Sequence, residues 1–204
     1  MIPILTAMFI YSLIHSVLAG NKVKQSIRSK IGFRAYEGLY RFSYNILATI
    51  SFVPILLLIT LSDSKTVWQF TSSWNTPLSI IRAIGLIGFC IALLQTDLAR
   101  FAGLSQVLAY LRNRPLPLPP EKLRTTGLYS RSRHPLYIFS VLILWTTPVM
   151  TNTYFAFCIS VTIYFIIGSH YEELRMLNTF GEAYARYQTQ VPWLFALPCR
   201  RKNN

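Results

Sequence analysis

Apolar residues in this chain gather into long uncharged runs separated by shorter, strongly polar stretches. The runs cover roughly residues 1–19, 44–61, 78–96, 136–150 and 152–169. A helix needs about 20 apolar residues to cross the hydrocarbon core of a bilayer, so the pattern predicts an all-α, polytopic integral membrane bundle with about five membrane segments. The last two runs are short and only Thr151-Asn152 parts their cores. They are expected to form a tight hairpin, spanning or re-entrant, whose two ends return to one face.

The polar stretches are basic, and their distribution orients the spans. Eighteen of the 20 Lys and Arg residues follow the first, third or fifth run, and only Lys65 and Arg82 fall on or near the other side. The positive-inside rule then puts the N-terminus outside and the C-terminus in the cytoplasm. The first run is read as a retained span, because no positive charge precedes it and many follow. The formal net charge of +13 sits beside apolar runs in a chain that is 52% hydrophobic. Topology and anionic headgroups account for it, so nucleic acid is not an expected partner and the lipid bilayer is. Cys90, Cys158 and Cys199 show no spacing of a zinc site or disulfide framework, and no metal site is expected. Oligomeric state is not readable.

Between the runs, residues 20–43 place Phe33, Tyr36, Leu39 and Tyr40 at helical spacing among basic residues, predicting an amphipathic helix on the headgroups. Pro54 and Pro148 fall within the second and fourth runs, where kinks are tolerated. Residues 113–120 are too proline-rich for a helix and form a stiff linker. Thr125-Thr126-Gly127 marks a turn, Phe180-Gly181 a helix break. The chain reads as a single membrane domain over 1–198, with its chemistry in 121–198 and a frayed basic tail at 199–204.

Polar side chains near apolar runs are costly and mark candidate sites. His15, Asn45 and Asp97 lie at the cytoplasmic ends of the first three runs, and His134 and Glu172 bracket the hairpin on the same side. Each of the first three also has a packing reading: a satisfied histidine, an interhelical hydrogen bond, an ion pair with Arg100. Arg82 is expected to snorkel outward. At His134, Pro135 biases the backbone away from helix just where a helix is due to start. Unpaired N–H groups there, beside Arg131 and Arg133, suit an anion. Tyr164, Gly168 and Glu172 share a helix face across the hairpin, and Glu172 would offer a carboxylate to hydroxyl or amino groups. Tyr184, Tyr187 and Pro192 offer aromatic surface to a flat base, or simply pack.

The set Gly127-x-Tyr129, Arg133-His134-Pro135-Leu136-Tyr137, Glu172-Glu173, Phe180-Gly181-x-x-Tyr184-x-x-Tyr187 and Val191-Pro192 resembles the isoprenylcysteine carboxyl methyltransferase superfamily, including its NnrU-like and methanethiol S-methyltransferase branches. One departure is that leucines fall at 174 and 177, not three residues after Glu173. His15-Ser16, Arg41 to Asn45, and Asp97 leading into Phe101-x-Gly103-Leu104-x-Gln106 extend a looser likeness through the N-terminal half.

That resemblance implies S-adenosylmethionine as cofactor, held at the cytoplasmic face by Leu123, Arg124, Tyr129, Arg133, His134, Pro135, Leu136, Tyr137, Glu172 and Tyr184. The prenylcysteine branch carries an arginine four residues before its first glutamate, where this chain has Gly168. The resemblance therefore implies transfer of a methyl group to a small thiol or lipophilic acceptor, a thiol being favoured over a carboxylate or a lipid amine. His15 and His134 are the candidates to help form a thiolate. A carotenoid isomerase branch shares the NnrU-like scaffold, which leaves a haem-binding redox or isomerase protein as an alternative, with these histidines as ligands. A silent partner protein in membrane redox metabolism is a third.

Overall fold

In the computed structural model, residues 1–194 are described; Cys199 and the expected basic tail lie outside them. The helices are α1 (Ile2–Ala19), α2 (Asn21–Ile31), α3 (Phe33–Leu61), α4 (Asn75–Leu94), α5 (Leu98–Ala102), α6 (Leu104–Leu111), α7 (Pro135–Trp145), α8 (Asn152–Phe180) and α9 (Glu182–Gln190). Short strands β1 (Thr66–Gln69) and β2 (Val149–Thr151) precede α4 and α8. Among the described residues, Ile2–Ala19, Phe33–Leu61, Ser72–Leu94 and Asn152–Phe180 are long and apolar enough to cross a membrane.

The fourth expected segment is different. α7 has 11 residues, which at 1.5 Å per residue is roughly 16 Å, about half of a hydrocarbon core. Thr146 ends it, so Pro148 lies beyond the helix and kinks nothing. α8 instead runs 29 residues and carries Glu172 and Glu173 within the helix, where the sequence reading has a polar segment after a span. The chain folds into two compact units: Met1–Trp68 with Thr96–Pro120 and Met150–Val161, and Gln69–Gln95 with Glu121–Val149 and the chain from Thr162 onward. α8 passes from the first to the second.

In the first unit, Gly32, at φ 82, separates α2 from α3. Residues 20–43 are therefore not one surface helix, since nearly half of them form the start of a membrane-length helix. Tyr36, Tyr40 and Tyr44 form a stacked row along α3, with ring centroids 4.9 and 6.3 Å apart. The Tyr40 hydroxyl donates to the Leu18 carbonyl and Tyr44 packs on His15 at 4.8 Å. Tyr40 and Tyr44 close α3 against the end of α1, and Tyr36 stacks on Tyr40. Asn45 Nδ2 donates to the Phe101 carbonyl at 3.0 Å, and Asp97 caps α5 by accepting the Arg100 N–H at 3.1 Å. Asn45 takes its packing reading, while Asp97 serves the helix start through the Arg100 backbone N–H.

In the second unit, α4 meets α7 where Gly85 and Gly88 let it approach; a Cβ at Gly88 would run into the Phe139 ring. Because α7 stops short, its last carbonyls need partners away from water. Thr146 Oγ1 donates back to Leu142 O at 2.8 Å, and Arg82 donates to Thr146 O at 2.7 Å. Arg82 is half-buried in this role, which corrects the expectation that it snorkels outward. Trp145 Nε1 ties α7 to α8 through Thr162 Oγ1 at 3.0 Å.

Candidate functional site

The second unit holds all of the expected cofactor residues, and the chain folds them together for identifiable local reasons. Pro135 starts α7, with His134 as its N-cap at φ −126, ψ 56, outside the helical region as the sequence predicts. Ser132, 1% exposed, accepts the His134 N–H and donates to the Trp193 carbonyl. The Arg133 N–H donates to Pro192 O at 3.1 Å. The Val-Pro segment is thus the backbone clamp for the helix start. Ile138 N–H reaches the His134 carbonyl; the N–H groups of Leu136 and Tyr137, earlier in the turn, lie before any intrahelical acceptor.

On the other side, α8 presents its two adjacent glutamates in different directions, because successive residues on a helix are about 100° apart. Glu173 turns inward and is 9% exposed. Its Oε1 takes His134 Nε2 at 2.8 Å and the Tyr184 hydroxyl at 2.7 Å, and its Oε2 takes Arg133 at 2.9 Å and Gln188 Nε2 at 2.6 Å. An ionised carboxylate has about four acceptor sites, so Glu173 is saturated by the protein itself. Since a carboxylate only accepts, the His134 proton on this bond resides on Nε2.

Glu172 is the opposite case. Its side chain is 30% exposed. It accepts the Tyr137 hydroxyl at 2.9 Å, lies 3.7 Å from His134 Nδ1, and has Arg175, itself 64% exposed, at 3.6 Å. Tyr137 is held in place by rings on both sides: His134 at 5.4 Å and Phe165 at 4.8 Å, both near parallel. Glu172 therefore keeps acceptor capacity for a ligand. The buried Nε of Arg133 also has no hydrogen-bond partner. An orphaned cationic donor behind a helix start, and an open carboxylate beside it, fit a zwitterion bearing a carboxylate and an ammonium.

Tyr129 is part of this group. Burial, with the negative Glu172 nearby, pushes its phenol up to about 12, so it stays a neutral donor. Its carbonyl accepts the Tyr187 hydroxyl at 2.5 Å; burial likewise raises Tyr187 to about 12. Tyr184, expected to offer a ring to a flat base, is 3% exposed, and with Tyr187 and Val191 makes a core into which Leu123 packs. Burial, and the bond to Glu173, raise the Tyr184 phenol strongly. Arg124 is exposed. Arg133 gives one guanidinium nitrogen, Nη1, to Glu173.

Not all expected residues belong to this cluster. His15, Asn45 and Asp97 belong to the first unit, where His15 lies between Tyr11 and Tyr44. Glu173 and Gln188 are absent from the expected site residues, although the helical angle between Glu172 and Glu173 carries the signal: only one of them shares a face with Gly168. The haem alternative asks His134 for a free ring nitrogen, and both nitrogens face carboxylates.

A family profile described as phospholipid methyltransferase matches residues 79–183, which include the helix start and both glutamates. A methanethiol S-methyltransferase from Pseudomonas sp. (strain GM41(2012)) is 33% identical over 159 residues, 76% of this chain and 59% of its own length. Another, from Pseudomonas deceptionensis, is 30% identical over 197 residues, 95% of this chain and 71% of its own. Nurim from Xenopus laevis is 26% identical over 194 residues, 92% and 64% respectively. The chain thus spans 59% of the first of these relatives and 71% of the second. No solved structure matches the chain.

Proposed function

The chain belongs to the phospholipid methyltransferase family, and we propose that it is an integral membrane methyltransferase that uses S-adenosylmethionine and methylates a small thiol. The observation that carries the reading is the division of labour between the glutamates: Glu173 is satisfied by four protein donors, while Glu172 is half-open beside the start of α7.

In this reading the first N–H groups of α7 and the Arg133 Nε receive the donor's carboxylate, and Glu172 receives its ammonium or ribose hydroxyls. When bound, S-adenosylmethionine would supply a methyl group on a sulfonium; the acceptor thiol gives its proton to solvent, its sulfur takes the methyl group, and the donor is left a neutral thioether. The protein's contribution is placement and exclusion of water rather than acid or base chemistry. Tyr129 and Tyr137 wall the site around Glu172. His134, fixed through Nε2 to Glu173, positions Tyr137 by stacking and holds the helix start.

Two facts favour a thiol: relatives that cover most of the chain are named methanethiol S-methyltransferases, and residue 168 is glycine. The concentration of basic residues after the first, third and fifth runs supports a site on the cytoplasmic face.

The test is binding and turnover with purified protein in detergent. Calorimetry is expected to detect S-adenosylmethionine binding that Glu172→Gln weakens about tenfold or more, the scale of one lost charge-assisted bond. Transfer of a labelled methyl group to methanethiol is expected in wild type. No binding by wild type, or unchanged binding in Glu172→Gln, refutes the assignment; binding with transfer only to a lipid amine or carboxylate refutes the thiol.

A further inference from the structure

A second feature lies in the first unit, where α2 ends, α3 begins and α6 ends. Phe33, Arg34, Ala35, Tyr110, Leu111 and Asn113 line a cleft of about 530 Å3. Arg34 fixes its walls. Its guanidinium donates to Arg114 O at 3.1 Å, Tyr110 O at 3.3 Å and Asn113 Oδ1 at 3.0 Å, stapling the start of α3 to the end of α6. Arg28 lies 4.5 Å over the Phe33 ring, which pins a second guanidinium at the rim. Arg112 and Arg114 flank Asn113 and Lys30 precedes Ile31 in the chain.

Among the described residues, no carboxylate forms an ion pair with Arg28, Lys30, Arg112 or Arg114. Cations are set beside apolar surface: Ile31, Phe33 and Leu111 are 49%, 44% and 69% exposed. A free anion in water gains nothing from that apolar rim. A phospholipid brings a phosphodiester and acyl chains together, so both parts of the surface find partners.

We propose that this cleft binds the phosphodiester headgroup of an anionic phospholipid, with Arg28, Arg112 and Arg114 holding the phosphate and Phe33 and Leu111 the first carbons of its chains. Arg34 is structural, since its donors are spent on carbonyls. The site is independent of the methyltransferase reading and involves none of its residues.

The experiment is native mass spectrometry of the full chain released from mixed micelles containing equal phosphatidylglycerol and phosphatidylcholine. Wild type is expected to retain the anionic lipid about tenfold over the zwitterionic one, and Arg28→Gln/Arg112→Gln/Arg114→Gln to lose that preference. The charge-matched Lys65→Gln/Lys122→Gln/Arg186→Gln is expected to keep it. No preference in wild type, or an equal loss in both triple variants, overturns the site. Displacement of the lipid by millimolar inorganic phosphate would identify a free-phosphate site and overturn the lipid assignment. If the triple variant fails to fold, Arg112→Gln alone, with an unchanged melting temperature, is expected to lower the preference measurably; an unchanged preference there overturns it.

Discussion

Replacing each of the adjacent glutamates in turn is expected to separate stability from binding. In Glu173→Ala, the Arg133 guanidinium, 13% exposed, loses its carboxylate, and His134, Tyr184 and Gln188 lose their acceptor at once. Removing one partner of a buried, hydrogen-bonded ion pair costs about 3–5 kcal/mol, most of it from the charge left behind. The pair is nearly as buried as that range assumes, with the glutamate at 12%. In Glu172→Ala, the loss is one phenol bond and a contact to an exposed arginine, about 1–2 kcal/mol. Glu173→Gln should fall between: it keeps one acceptor oxygen, but turns an N–H₂ toward the donors of Gln188 and Arg133. Denaturant unfolding of detergent-solubilised protein reads the stability, and calorimetric titration with S-adenosylmethionine reads the binding. The expected result is a gap of about 2–3 kcal/mol between the alanine variants, with the folded Glu172→Ala protein losing affinity. Equal destabilisation by the two, or normal affinity in Glu172→Ala, would refute the assignment of one glutamate to the fold and the other to the ligand.

Other consequences are simpler. Arg82→Met leaves the Thr146 carbonyl without its donor at the end of the short α7, and should cost about 1–3 kcal/mol by the same unfolding assay, where a snorkelling arginine would cost almost nothing. Gly88→Ala puts a methyl group into the Phe139 ring, so a loss of about 1–3 kcal/mol is expected, against a gain if α4 and α7 did not pack here. Tyr129 and Tyr187 have folded-state values raised to about 12 from an ordinary 10. Their contribution to stability is therefore complete below pH 10 and lost as pH rises through 12, and in an ultraviolet titration of the native protein Tyr129 and Tyr187 should ionise late, with Tyr184 later still.

Much of the fold was legible in the sequence because membrane spans and helix punctuation depend on local composition. The first and third runs became α1 and α4 nearly end to end, Pro135 opened a helix, and Gly181 parted α8 from α9. What was not legible depends on which partner a residue finds. Tyr36 and Tyr40 have the spacing of a headgroup-facing stripe, yet their rings stack on each other and a carbonyl at the end of α1 claims the Tyr40 hydroxyl. Arg82 looks like an interfacial cation until α7 is seen to end at a carbonyl needing a donor. In the candidate site the motif residues were found, but not their division of labour. Sequence gives Tyr184 an aromatic ring at the right spacing; only its contact with Glu173 tells that the hydroxyl serves the fold.

Gly168 carries that distinction between scaffold and chemistry furthest. A glycine inside a long helix costs about 1 kcal/mol relative to alanine, so it is usually kept for close packing or for a ligand. Here the packing explanation fails, because a Cβ built at Gly168 meets nothing within 4 Å. The position lies one turn before Glu172 on the same face of α8, the side where that carboxylate is open. Gly168→Arg is therefore sterically free and should raise helix stability slightly, while its guanidinium, at i to i+4 from Glu172, takes up the acceptor capacity reserved for the ligand. The expected outcome is an unfolding midpoint unchanged or higher, with weaker S-adenosylmethionine binding and reduced methyl transfer to methanethiol. Gly168→Ala separates size from charge: it should raise stability by a similar amount and leave binding intact. If Gly168→Arg binds and turns over as wild type does, the open face of α8 is not where donor and acceptor meet, and the absence of a side chain at this position says nothing about the substrate.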